Sequence, residues 1–95
     1  MAAYIVAMID VHDPDLYAEY AAQTAPVLAR HGGRYLVRGG APVPLDGAAF
    51  KRVVVMEFAT EDDAQGFWTG ELYAPLKAMR ERASTTDAAI LPGYD

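Results

Sequence analysis

Cysteine is absent from this chain of 95 residues. That excludes disulfides, thiolate metal sites and a cysteine nucleophile. Basic residues are few, eight against thirteen acidic ones, for a net charge of −5 and a pI of about 4.8. Binding a nucleic-acid backbone requires clustered Lys and Arg, and an anionic membrane surface requires the same. Neither partner is expected. No apolar run reaches the ~18 residues of a membrane span. The opening MAAYIVAMIDV has no Lys or Arg before it and meets Asp10 early, so it reads as a strand rather than a signal peptide, and a cytoplasmic location is the expectation. GxxxxGK[ST] and GxGxxG are both missing. The glycine pairs of HGGRYLVRGG (31–40) therefore read as a helix cap and a strand exit, not a phosphate cradle. No Ser–His–Asp set is visible. Asp10, His12, Asp13 and Asp15 match no standard metal spacing and have no second histidine nearby. No metal and no cofactor are expected.

What is present is a pattern of secondary structure in one domain, residues 1–95. The continuous apolar run 3–12 predicts a strand covered on both faces and hence central in its sheet. Asp13, Pro14 and Asp15 open a helix as cap, first-turn proline and dipole partner. Leu16, Tyr20, Thr24, Val27 and Leu28 continue it at helical spacing. Pro26 is expected to kink or split this helix, and Gly32–Gly33 to end it. Arg34–Arg38 predicts a second strand, residues 39–49 a loop, and Phe50–Phe58 a third strand. Thr60, with Asp63, opens a second helix carrying Ala64, Phe67 and Trp68. Gly70 interrupts it, and a further segment places Leu72, Leu76, Met79 and Ala83 on one stripe. Ala88–Leu91 predicts the last strand.

The order β-α-β-β-α-β predicts an α+β, ferredoxin-like fold, with a four-stranded antiparallel sheet and both helices on one face. The first strand is apolar on its other face too, at Tyr4, Val6 and Met8. Such a face marks an association surface, and a two-fold homodimer is the simplest way to cover it.

The run GGRYLVRGG (32–40), with RVVVMEF (52–58), Ala64, Tyr73, Arg80 and Gly93, resembles the bacterial domain of unknown function (DUF) 1330 family. The likeness runs from Tyr4 to Gly93. It departs at Trp68 and Gly70, where members often carry Tyr and Ser. The resemblance implies a dimeric α+β barrel and no established reaction.

Candidate chemistry is sparse. Strand alternation places Arg34, Leu36 and Arg38 on one face, where two guanidinium groups would converge on an anion. Glu57 interrupts an apolar strand and needs a partner, with Arg38 or Arg52 within reach. It reads as a structural ion pair or, unpaired, as a general base. His12 shares a face with Asp10 and reads as a solvated strand end or as a base. Trp68 and Tyr73 flank the helix break and would wall a pocket beside the sheet, and Tyr73 shares a helix face with Arg80. Two functions follow. In the first, a homodimer binds a small anionic or aromatic metabolite between sheet and helices, through Arg34, Arg38, Trp68 and Tyr73, with His12 or Glu57 as base for any cofactor-free acid–base chemistry. In the second, a non-catalytic dimerisation or stress-related module binds no ligand, its barrel is filled, and Glu57 and the arginines are locked in salt bridges.

Overall fold

The computed structural model describes residues 1–40, 42–48 and 51–94. The elements run β1 (Ala3–Val11), α1 (Pro14–Arg30), β2 (Arg34–Arg38), β3 (Arg52–Phe58), α2 (Glu61–Thr69), α3 (Ala74–Ala83) and β4 (Ser84–Pro92). Every strand pairing is antiparallel and the order across the sheet is β2-β3-β1-β4. This is the ferredoxin-like α+β arrangement, with its second helix broken into α2 and α3 by the turn at Gly70–Tyr73. The apolar run in β1 does lie at the sheet centre. Phe50, the expected start of β3, lies outside the described residues, as do Ala41 and Ala49 of the expected loop.

Local chemistry sets the helix ends. Asp13 accepts from the Leu16 amide at 3.1 Å, and Thr60 Oγ1 from the Asp63 amide at 3.1 Å, so each satisfies a donor that the helix leaves unpaired. At the other end of α1, the Gly33 amide donates to Leu28 O and the Gly32 amide to Ala29 O, both at 3.0 Å. Gly32 sits at φ 73°. This is a Schellman cap, which requires a left-handed residue after the helix. Gly33 has a separate reason to be glycine: a Cβ there would meet Leu28 Cδ1 at 2.4 Å and Phe58 Cε2 at 2.6 Å. The first glycine pair is therefore a turn against the core, with no ligand required.

Three expectations need correction. Pro26 does not split α1, which runs unbroken through it. Ala22 and Pro26 both lie on the exposed side, so the carbonyl that loses its donor is within reach of water. Leu72 is not on a helical stripe but in the turn before α3, and it is exposed. β4 begins four residues before Ala88, directly after α3.

The helices cover one face of the sheet. Ile5, Phe58, Leu28, Phe67 and Tyr73 are almost fully buried between the layers, each contributing about 1.5–3 kcal/mol of hydrophobic stabilisation. The opposite face carries Met8, Val37 and Leu91 exposed, with Val6, Val53 and Val55 half-buried among them. Among the described residues, no helix is long and apolar enough to cross a membrane.

Candidate functional site

The register of β2 on β3 decides where the chemistry gathers. Tyr35 pairs with Met56, but the next partners are Val37 and Val55, so β2 advances two residues while β3 advances one. Leu36 is the extra residue of a β-bulge. The bulge reverses the alternation beyond it. Arg34 stays opposite Glu57 on the open face, whereas Arg38 stands opposite Val54 on the helix-covered face. Arg34 and Arg38 are thus not brought together, contrary to the spacing argument. Arg34 Nε instead donates to Glu57 Oε1 at 2.8 Å. The partner of Glu57 is the residue directly across the ladder, not Arg38 or Arg52. That hydrogen bond from Arg34 holds the Glu57 carboxyl below its usual range against the opposing effect of burial. It is an ion-paired carboxylate, not a base poised near neutrality.

His12 is not among the residues that line the cavity on the covered face. Its backbone amide donates to Ala83 O at 2.8 Å, and its Nε2 lies 2.9 Å from Thr85 Oγ1 at the end of the sheet. His12, Glu57 and Arg34 are therefore separate from the site described next.

On the covered face a cavity of about 120 Å³ opens between the sheet and helices α1 to α3. It has room for a small organic anion. Arg52 reaches it by strand alternation with Val54 and Met56, Arg38 by the bulge, and Arg80 from α3. Tyr17, Tyr20, Tyr35 and Trp68 complete most of the wall, and among the described residues the lining holds no carboxylate or imidazole. Each arginine is held over an aromatic ring: Arg38 over Tyr35 at 4.7 Å, Arg52 over Tyr17 at 5.0 Å and Arg80 over Trp68 at 5.1 Å. Among the described residues none of the three pairs with a carboxylate. Cation–π contact fixes a guanidinium without consuming its N–H donors. Arg38 Nη2 gives one donor to Ala21 O at 3.4 Å and Arg80 Nε one to the Tyr73 hydroxyl at 3.2 Å, and the donors beyond these can meet an anion.

Tyr73 stands behind this wall rather than in it. Its ring is fully buried, 5.3 Å from Trp68. Its hydroxyl lies 2.8 Å from that of Tyr20 and accepts from Arg80 Nε at 3.2 Å. The seven-residue spacing of Tyr73 and Arg80 does become a contact. Burial, then the neighbouring Tyr73, pushes the Tyr20 phenol far above its usual range, and burial also raises Tyr17 and Tyr35. The tyrosines are neutral hydrogen-bonding groups. Three cations and three phenols around one cavity can bind an anion or stabilise negative charge developing on a bound molecule.

Of the residues singled out in the sequence, Arg38 and Trp68 line the cavity and Tyr73 braces it. Arg52, Arg80, Tyr17, Tyr20 and Tyr35 complete it. Arg52 was readable from its alternation with Val54, Met56 and Phe58. Arg80 was readable from its spacing to Tyr73.

The model of the family described as "Domain of unknown function (DUF1330)" matches residues 2–94. No curated protein matches the chain in sequence. Among solved structures, a protein of unknown function from Rhodopseudomonas palustris is similar with a TM-score of 0.79 at 16% identity, over 99% of this chain and 83% of that one. SnoaB, a cofactor-independent oxygenase from Streptomyces nogalater, gives 0.73 at 19% identity over 99% and 94%. A dimeric ferredoxin-like protein of unknown function from Jannaschia sp. CCS1 gives 0.75 at 10% identity over 98% and 100%. At such identities the likeness is one of fold.

Proposed function

The chain belongs to the DUF1330 family, and we propose that it is a homodimeric small-molecule-binding protein that holds an anion in the arginine-lined cavity. One observation carries the reading. Three of the eight basic residues of an acidic chain face the same cavity, each stacked on an aromatic ring and none with a carboxylate partner among the described residues. Uncompensated like charges oppose one another in a partly desolvated pocket, and a bound anion relieves that cost. The ligand-free module predicts a filled barrel with Glu57 and the arginines locked in salt bridges. Among the described residues, Glu57 and Arg34 meet that description, paired on the other face, and the three cavity arginines do not. Dimerisation is supported by the apolar open face and by the description of a structural neighbour as dimeric. A partner on that face leaves the cavity free. The oxygenase neighbour lends small-molecule chemistry to the fold only by analogy.

The test is thermal unfolding with benzoate against its neutral isostere benzamide. At a hundredfold excess over Kd, binding stabilises by about 2.7 kcal/mol. A domain of this length gains about 4–8 °C per kcal/mol. Benzoate is expected to raise the midpoint, benzamide to leave it nearly unchanged, and Arg52→Gln to reduce the benzoate response. Equal responses to both compounds would refute the reading.

A further inference from the structure

We infer that the ligand is amphipathic, with an anionic head on Arg38, Arg52 and Arg80 and an apolar tail that runs past Trp68 along a trough floored by β1 and β4. This rests on the anion-binding reading and adds the other half of the site.

A second cavity, of about 230 Å³, is bordered by Ile5, Ala88, Ala89, Ile90 and Trp68. Among the described residues its lining has no charged side chain and no hydrogen-bonding side chain apart from the indole. The sheet register shows how it relates to the first. Along the helix-covered face, β1 and β4 pair as Ile9 with Thr86, Ala7 with Ala88 and Ile5 with Ile90. Ile9, Thr86 and Ala7 line the arginine cavity, while Ala88, Ile5 and Ile90 line the second one. The two cavities are successive stretches of one floor, and Trp68 borders both. From Thr86 to Ile90 that floor extends ~13 Å. Its middle rung is a pair of alanines, so there is depth under the indole where larger side chains would close the trough. Charge is confined to one end and apolar surface to the other. A ligand that fills both must carry its charge at one end only.

The probes are butyrate, hexanoate and octanoate, titrated by calorimetry below their aggregation range. Emission from Trp68, the sole tryptophan, reports the junction. Each methylene taken from water into the trough is worth about a fourfold gain in affinity. The expected result is at least a tenfold rise from butyrate to octanoate, with a change in Trp68 emission that grows along the series. Ala88→Leu fills the middle of the floor and is expected to collapse the octanoate-to-butyrate ratio toward one. Ala88 is exposed on an edge strand, and the wild-type series stands without the variant. Equal affinities for butyrate and octanoate would overturn the tail while leaving anion binding intact. An octanoate gain that survives Ala88→Leu would place the tail elsewhere and overturn it as well. Binding of no carboxylate at all would remove the anion reading and this inference together.

Discussion

Removal of the Tyr73 hydroxyl tests whether the cavity is braced from behind as the geometry indicates. That oxygen is shared: Tyr20 Oη lies 2.8 Å away and Arg80 Nε donates to it at 3.2 Å, with all three side chains buried. Among the described residues, no buried side-chain nitrogen or oxygen lacks a partner. Tyr73→Phe orphans a phenol and a guanidinium N–H at once. A buried polar group left unpaired costs about 1–3 kcal/mol. Arg80 borders the cavity, where water can reach it, so the whole change is expected near the middle of that range, about 2 kcal/mol. At about 4–8 °C per kcal/mol the midpoint falls by roughly 8–16 °C. Tyr20→Phe removes only one of the two bonds and is expected to cost about 1 kcal/mol. The pair shares one hydrogen bond, so the double variant is expected to cost less than the sum by at least about 0.5 kcal/mol. Denaturant unfolding of the four proteins measures this directly. Additivity within about 0.3 kcal/mol, or a neutral Tyr73→Phe, would refute the shared-hydroxyl account.

Gly33→Ala is expected to destabilise by about 1–3 kcal/mol, because its Cβ would overlap Leu28 and Phe58, both packed in the core. Equilibrium unfolding checks it, and an unchanged midpoint would show that the core yields there. Val55→Asp, in the middle of the open face, is expected to give a folded monomer in sedimentation velocity. A persistent dimer would place the interface elsewhere. The Glu57 carboxyl is held below its ordinary value of 4.5, first by the Arg34 hydrogen bond. A depressed folded pKa gives stability that is fully present above the unfolded value and is lost as pH falls through the folded one. Glu57→Gln is therefore expected to flatten the acid limb of stability below about pH 4.5. Denaturation curves with identical slopes for both proteins would contradict the pairing.

What the sequence revealed was local. The caps at Asp13 and Thr60, the glycine turn at Gly32–Gly33 and the apolar run of β1 each depend on residues a few positions apart, and all appear as expected. The bulge at Leu36 was not legible, because it is set by pairing with β3 and nothing in RYLVR announces it. Its consequence was large. One extra residue moved Arg38 to the covered face, left Arg34 to Glu57, and broke the proposed arginine pair. β4 was read too short because its first half, STTD, is polar, yet it extends the sheet along β1. The apolar open face was visible from β1 alone, since an unbroken apolar strand shows Tyr4, Val6 and Met8 on its second face without reference to any partner. The cavity was legible in part: of its aromatic wall only Trp68 followed from the break near Gly70, while the tyrosines of α1 and β2 and the convergence of arginines from β2, β3 and α3 are properties of the packed layers.

The central claim is that Arg38, Arg52 and Arg80 form one anion site and Arg34 does not. NMR of the arginine Nε–Hε groups during titration with benzoate tests it most directly. The account expects saturable shifts for Arg38, Arg52 and Arg80 with one common dissociation constant, and a stationary Arg34 signal held by Glu57. Shifts at Arg34 instead, or none at the three cavity arginines up to millimolar benzoate, would contradict it.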